Sequence, residues 1–187
     1  MNLMDWAAKG MTFDEYVESM KVNKEELLYI YKEVKLPEAA LQTFQQGSSK
    51  NWIVIVLAAD WCGDALACVP VVKRICEAAQ FSMHLLIRDE NLELMDQYLT
   101  NGTARAIPIF IFVDEQGKEQ AVWGPRSKEV QDMITELRSK LPSQDDPTFE
   151  EKQKAMYQSF RERLVNDTSI WTSIINSVEE RLRPVLF

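Results

Sequence analysis

The stretch from Trp52 to Pro70, WIVIVLAADWCGDALACVP, constrains the fold of this chain more than any other. Residues 52–59 form an apolar, β-branched run with the length of a buried strand. The next four residues predict a turn, and the pattern from Asp64 onward predicts a helix, so Cys62 stands where a central strand ends and a helix begins. Unpaired backbone N–H groups and the positive end of the helix dipole favour a thiolate there. We therefore expect Cys62 to be the reactive thiol, with a lowered pKa.

This stretch resembles the active-site segment of the thioredoxin superfamily. The matching residues after the strand, including the kink proline of the helix, are Trp61, Cys62, Gly63 and Pro70. A second segment, ARAIPIFIFV at residues 104–113, is similar to the one that carries the family's cis-proline. The resemblance covers residues 50–140 and implies an α/β, thioredoxin-like fold, in which a mixed central sheet has helices on both faces. It also implies a cis Ile107–Pro108 peptide close to Cys62.

The active-site sequence WCGDA departs from the family pattern in two places. A dithiol thioredoxin has its second cysteine three residues after the first, where this chain has Ala65. The family's buried carboxylate lies six residues before the first cysteine, where this chain has Val56. Two parts of the ordinary dithiol mechanism are therefore missing.

The resemblance implies a thiol–disulfide oxidoreductase of the monothiol type, acting in cell redox homeostasis. Cys62 would be the sole nucleophile and would form a mixed disulfide with a protein or a low-molecular-weight thiol, which it could not release without a second thiol. The residues expected to contact the substrate are Trp61, Gly63, Asp64, Ile107 and Pro108. The alternative is a redox-inactive binding module that uses the same groove and the added helices.

Opposing effects act on the pKa of Cys62. The N–H groups of the helix start lower it, whereas the negative charge of Asp64 and partial burial beside Trp61 raise it. Because Asp64 can point to water and be screened, we expect the lowering effects to win, with a pKa of roughly 7.

Cys68 and Cys76 are expected to be buried and inert. Cys68 lies six residues after Cys62, a helical rise of about 9 Å, whereas a disulfide needs Cα atoms within about 7 Å. An odd count of three cysteines also argues against a disulfide framework. A reducing cytoplasm fits this composition best.

The chain divides into three parts. Residues 1–49 are expected to form an N-terminal helical extension, residues 50–141 the thioredoxin-like core, and residues 142–187 a C-terminal helical hairpin that packs on the core. Within the core, strands are predicted at 81–88, 109–113 and 119–123, and helices at 92–99 and 127–141. Alternating strands and helices in this order predict a mixed sheet that is covered on both faces.

Three pairs of residues have the spacing of a capping box, which marks the start of a helix: Thr12 with Glu15, Asn23 with Glu26, and Thr148 with Glu151. In the hairpin, an apolar stripe from Trp171 to Leu182 predicts a helix that stops at Pro184. A hairpin this small must bury its apolar face against something. We expect its own domain to cover that face; the alternative is a partner surface or a homodimer through the C-terminal helices.

Composition and charge exclude several other functions. The net charge is −8 without a basic stripe, so nucleic acid is not an expected partner. No apolar run reaches transmembrane length and no secretory signal is visible, so we expect a cytoplasmic protein that does not bind membranes. His84 is the only histidine and has no ligand cluster around it, so no metal site is predicted. No cofactor motif is present.

Overall fold

The computed structural model describes residues 2–187. The helices before the first strand are α1 (Leu3–Lys9), α2 (Phe13–Ser19), α3 (Lys24–Glu33) and α4 (Glu38–Gln46), followed by a 3₁₀ turn at Gly47–Lys50. The elements of the core are β1 (Ile53–Ala58), α5 (Gly63–Ala79), β2 (Ser82–Ile87), a 3₁₀ turn (Arg88–Glu90), α6 (Leu92–Met95), β3 (Ile109–Val113), β4 (Glu119–Trp123) and α7 (Lys128–Ser139). The C-terminal hairpin consists of α8 (Phe149–Asn166) and α9 (Thr168–Leu186).

The strands form one mixed sheet in the order β2-β1-β3-β4. β1 runs parallel to β2 and antiparallel to β3, so that Val54 lies between Met83 and Phe112. β3 and β4 pair antiparallel, as their short connecting turn requires. All residues of β1 after Ile53 and all residues of β3 are buried, because helices cover both faces of the sheet. The predicted α/β, thioredoxin-like architecture is confirmed.

The N-terminal segment closes the free edge of β2. The N–H and carbonyl groups of Met11 both hydrogen-bond to Leu85, each at 2.8 Å. Thr12 and Glu15 form the predicted capping box at the start of α2. α1 has no counterpart in the predicted helices, which begin at residue 12, and it starts with a capping box of Asn2 and Asp5. This segment therefore completes the sheet and adds helices beside it.

Asn23 and Thr148 precede α3 and α8 as predicted, but two predicted capping bonds and two predicted helix ends were wrong. Asn23 precedes α3 but makes no capping bond, because it has a left-handed φ of 62° and its side-chain amide donates to the carbonyl of Asp60 instead. Thr148 also makes no capping bond to α8, since its hydroxyl donates to Asp146. α6 ends at Met95, four residues before the predicted end. α9 continues past Pro184 to Leu186, because a proline in the last turn disturbs little of the helix beyond it.

The hairpin packs on the rest of the chain. α8 contacts α3, α5 and α7, and α9 contacts α4, α5, α7 and β4. Its apolar stripe from Trp171 to Leu182 is buried in these contacts. The indole N–H of Trp123 donates to Ser177 at 2.9 Å and joins β4 to α9. A homodimer through these helices stays a prediction. Among residues 2–187, no helix combines the length and the apolar character needed to cross a membrane.

Candidate functional site

Cys62 occupies the N-cap of α5, four residues after β1 ends. The backbone N–H of Ala65 donates to Sγ at 3.5 Å, and the thiol donates to the carbonyl oxygen of Ile107 at 3.4 Å. The residue is 9% exposed. The strand and the helix therefore hold the sulfur between the first turn of α5 and the loop that precedes β3.

The loop before β3 brings the second sequence motif to the thiol. The Ile107–Pro108 peptide bond is cis, as the resemblance led us to expect, and both residues are buried. Within residues 2–187 the N–H of Ile107 makes no hydrogen bond, while its carbonyl accepts the thiol. The residue next to the sulfur therefore keeps one backbone donor for a further partner.

Gly124 permits the close approach of this loop to the end of β4. A Cβ atom at this position would lie 2.2 Å from the carbonyl oxygen of Pro108, and the φ of Gly124 is +128°. Neither the distance nor the dihedral angle is compatible with an L side chain. A second cis peptide joins Gly124 to Pro125, which the sequence analysis did not predict. The Pro125 carbonyl accepts the thiol of Cys68 at 3.7 Å.

Asp64 is paired with Arg126 in a two-point ion pair. The Nε and Nη2 atoms of Arg126 donate to the two carboxylate oxygens at 3.1 and 2.5 Å. The side chains of Asp64 and Arg126 are only 11% and 17% exposed. Burial raises the pKa of Asp64, and Arg126 opposes that rise. The expectation that Asp64 points to water was wrong, because Arg126 and the neighbouring helices hold it inside.

The prediction of a lowered pKa for Cys62 was also wrong. Burial raises the pKa of this thiol, and the negative charge of Asp64 adds to the rise. The N–H groups of Ala65 and Asp64 and the positive charge of Arg126 lower it, but they do not outweigh burial. The sulfur is therefore a protonated thiol at neutral pH.

The residues predicted to surround the thiol lie in different environments. Trp61 is 53% exposed, and the guanidinium of Arg88 lies 4.8 Å from its ring centroid. Gly63 is half-buried, and a Cβ atom there would lie 3.6 Å from Leu164 of α8. Cys62, Trp61 and the 107–108 loop thus form one face, whereas Gly63 and Asp64 turn toward the hairpin. That these residues bind a substrate stays a prediction.

The remaining cysteines lie in the core. Cys68 and Cys76 are buried and unpaired, as predicted. Burial raises the pKa of Cys68 well above its usual value and that of Cys76 to about 12. The positions that hold the second cysteine and the buried carboxylate in dithiol thioredoxins, Ala65 and Val56, are both buried. No other thiol in residues 2–187 forms a bond with Cys62.

Sequence reasoning missed two residues near the thiol. Arg126 lies 62 positions from Asp64, and its surroundings, GPRS, carry no signal for an ion pair. Tyr16 lies on the buried face of α2. Its hydroxyl is the only buried side-chain polar atom without a hydrogen bond in residues 2–187. Burial raises the pKa of Tyr16, and the negative charges of Asp60 and ionised Cys62 raise it further.

The part of the chain that the structure covers, residues 2–187, contains no cluster of three or more His, Cys, Asp or Glu residues that could hold a metal ion. His84 lies on β2 opposite Ile55 and is half-buried.

These features define a thioredoxin-fold protein with a single cysteine at its site. A family model described as thioredoxin matches residues 10–138, and the chain belongs to that family. No curated protein matches it significantly. Two solved structures share the fold. One is a protein of unknown function, PA1234, from Pseudomonas aeruginosa, with a TM-score of 0.66, 13% identity and coverage of 96% of this chain and 98% of that one. The other is an HIV epitope-scaffold, with a TM-score of 0.63, 13% identity and coverage of 96% and 99%.

Proposed function

We propose that this protein carries out thiol–disulfide exchange through Cys62 alone. The observation that supports this proposal best is the position of Sγ, between the N–H of Ala65 and the carbonyl of Ile107, beside Pro108. The Ala65 N–H can stabilise a negative charge on sulfur once the thiol proton has left. The loop at Ile107 offers a free backbone N–H to a bound chain.

The exchange reaction needs no second cysteine in this chain. Cys62 gives its proton to solvent, and the thiolate attacks one sulfur of a disulfide. A new S–S bond forms to Cys62, the old S–S bond breaks, and the departing thiolate takes up a proton. A protein or low-molecular-weight thiol from solution then reduces the mixed disulfide and frees Cys62. Because burial keeps the thiol protonated at neutral pH, the first step is slow there and quickens as the pH rises.

Exposure to oxidised glutathione tests this function. The folded protein should gain one glutathione, located on Cys62 by peptide mass, and reduced glutathione should remove it. The matched variant Cys62→Ser should gain none, whereas Cys68→Ser should behave as the wild type. A folded protein that forms no adduct on Cys62 would refute the proposal.

A second candidate is a binding module that does not exchange disulfides. The burial and raised pKa of Cys62 favour it, because both properties weaken a nucleophile in water. In that case the exposed ring of Trp61 and the free N–H of Ile107 would still contact a partner. Partner capture that is equal in wild type and Cys62→Ser, with no glutathione adduct on the wild type, would select this candidate.

A further inference from the structure

A cavity of about 260 Å³ lies between the first turn of α5, α7 and α8. We propose that it binds a small organic anion. Arg138 and Arg161 would hold a carboxylate or phosphate group, and an apolar body would lie against Phe160 and Leu164. The cavity is a separate site from the thiol, because Gly63 and Asp64 line it and Cys62 does not. The inference therefore does not rest on the proposed exchange chemistry.

The charges around the cavity favour an anion. Three guanidinium groups line it, from Arg126, Arg138 and Arg161, against the single carboxylate of Asp64. Arg126 neutralises Asp64 and also donates to Gln131. Arg161 forms an ion pair with Glu26 at 2.7 Å, so among residues 2–187 Arg138 supplies the one guanidinium charge of the wall that no carboxylate offsets, in a chain with a net charge of −8.

Two of these arginines keep donors for a ligand. In residues 2–187 the only side-chain hydrogen bond of Arg138 runs from its Nε to the hydroxyl of Tyr157, at 3.2 Å, and its guanidinium forms no ion pair with a carboxylate. The guanidinium also lies 5.7 Å from the ring centroid of Tyr157, which fixes its position. Arg161 uses one nitrogen for Asn23 and Glu26 and keeps its other donors. A planar guanidinium with free N–H groups suits two-point binding of a carboxylate or phosphate.

The rest of the wall is apolar and small. Ile134, Phe160 and Leu164 are buried side chains that face the cavity. Pockets for drug-sized ligands span roughly 300–1,000 Å³, so this cavity suits a ligand of about one ring. An apolar wall with a few convergent polar groups is the usual composition of such sites. The hairpin supplies Tyr157, Phe160, Arg161 and Leu164, so the site exists only where the hairpin packs on the core.

The test uses benzoate and phenyl phosphate as anionic probes and benzyl alcohol as their neutral analogue. Binding to the full chain is followed by the backbone amide chemical shifts of Gly63 and Phe160. We expect one or both anions to bind and shift these signals, and benzyl alcohol to bind at least roughly tenfold more weakly. The relative affinities of the two anions tell whether the head group is a carboxylate or a phosphate.

Arg138→Gln should weaken anion binding at least roughly tenfold. This variant should fold, because the Arg138 side chain is exposed and makes one neutral hydrogen bond. Arg163→Gln, on α8, is the control: it changes the net charge of the chain by the same amount as Arg138→Gln on α7, but Arg163 lies outside the cavity and the variant should bind as the wild type. Cys62→Ser should also bind normally, which separates this site from the exchange reaction. Absence of binding by both anions, equal binding of benzyl alcohol, or equal losses in the two arginine variants would overturn the proposal.

Discussion

The ion pair of Asp64 and Arg126 sets the charge next to the thiol. Asp64 is held beside Cys62 rather than in water, so its negative charge raises the thiol pKa, while Arg126 partly offsets it. Removing one member of a mostly buried pair leaves the other without its partner. Asp64 thus affects both the reactivity of the Cys62 thiol and the stability of the fold.

Asp64→Asn should lower the pKa of Cys62 and weaken the fold. The amide removes the negative charge of Asp64, and the positive charge of Arg126 then favours the thiolate of Cys62. Because Arg126 loses its charged partner, the free energy of unfolding should fall by about 1–3 kcal/mol. The pH profile of iodoacetamide labelling and urea unfolding measure the two effects. Asp132→Asn, whose partner Lys128 is exposed, is the control and should change neither. An unchanged thiol pKa in Asp64→Asn would contradict the electrostatic role.

The unpaired hydroxyl of Tyr16 should contribute nothing to stability. It is buried without a hydrogen-bond partner, so Tyr16→Phe removes a desolvated group and no bond. We expect the free energy of unfolding to stay equal or to rise by up to about 2 kcal/mol. Tyr98→Phe is the control, because its hydroxyl donates to Glu119 at 2.8 Å and its loss should cost about 0.5–1.5 kcal/mol. A loss in Tyr16→Phe as large as in the control would show that the hydroxyl is paired in solution.

The buried thiols should make the fold lose stability in alkali. Burial raises the pKa values of Cys62, Cys68 and Cys76, the last to about 12. Above about pH 8.5 an unfolded thiol releases its proton and a folded one keeps it. The stability is therefore fully present below that pH and is lost as the pH rises toward the folded pKa. Between its unfolded and folded pKa values, a thiol such as Cys76 contributes a slope of roughly 1.4 kcal/mol per pH unit.

Urea unfolding between pH 8 and 10, with a reductant present, measures this slope. Cys76→Ala should reduce it by the contribution of one thiol. Val72→Ala, another buried residue of α5, is the control and should lower stability by the same amount at every pH. A slope that Cys76→Ala leaves unchanged would show that Cys76 titrates alike in both states.

At the level of elements, the sequence predicted those parts whose pattern is continuous. β3 and β4 have the predicted bounds, and the junction of β1 with α5 lies at Cys62. Unbroken apolar runs such as β1 and β3 are predictable because a strand covered by helices on both faces is apolar along its whole length. α1 was missed, since its capping pair of Asn2 and Asp5 departs from the Ser/Thr and Glu/Gln pattern that marks the equally short α2. The pairing of Asp64 with Arg126 depends on how β4 and α7 return to the site, which no local pattern encodes. Burial of the thiol likewise depends on this tertiary packing.

Gly124, which follows β4 and packs against the cis-proline loop, should not tolerate a side chain. In Gly124→Ala the new methyl group would overlap the Pro108 carbonyl at 2.2 Å. We expect a loss of more than about 3 kcal/mol in the free energy of unfolding. Gly102→Ala is the control: its φ of +71° is also unfavourable, but no atom lies within 4 Å of the new Cβ. The control should lose about 1–2 kcal/mol. Equal losses in thermal or urea unfolding would contradict the close approach.

At the level of the whole molecule, additions surround a thioredoxin-type core. The N-terminal segment pairs with the edge of β2 through Met11, and the hairpin packs over the first turn of α5. Both additions place residues near the thiol: Tyr16 interacts electrostatically with Cys62, and Leu164 lies against the neighbouring Gly63. The protein thus keeps a thiol at the junction of β1 and α5 and holds it largely buried.

The pH dependence of glutathione exchange at Cys62 tests this account most directly. The rate of adduct formation is measured by mass spectrometry on the folded protein and compared with that of an exposed model cysteine. We predict a single adduct on Cys62, with a rate that rises with pH and a midpoint above that of the model cysteine, because burial outweighs the helix N-terminus. A midpoint below that of the model cysteine, or a folded protein that never reacts at Cys62, would contradict the account.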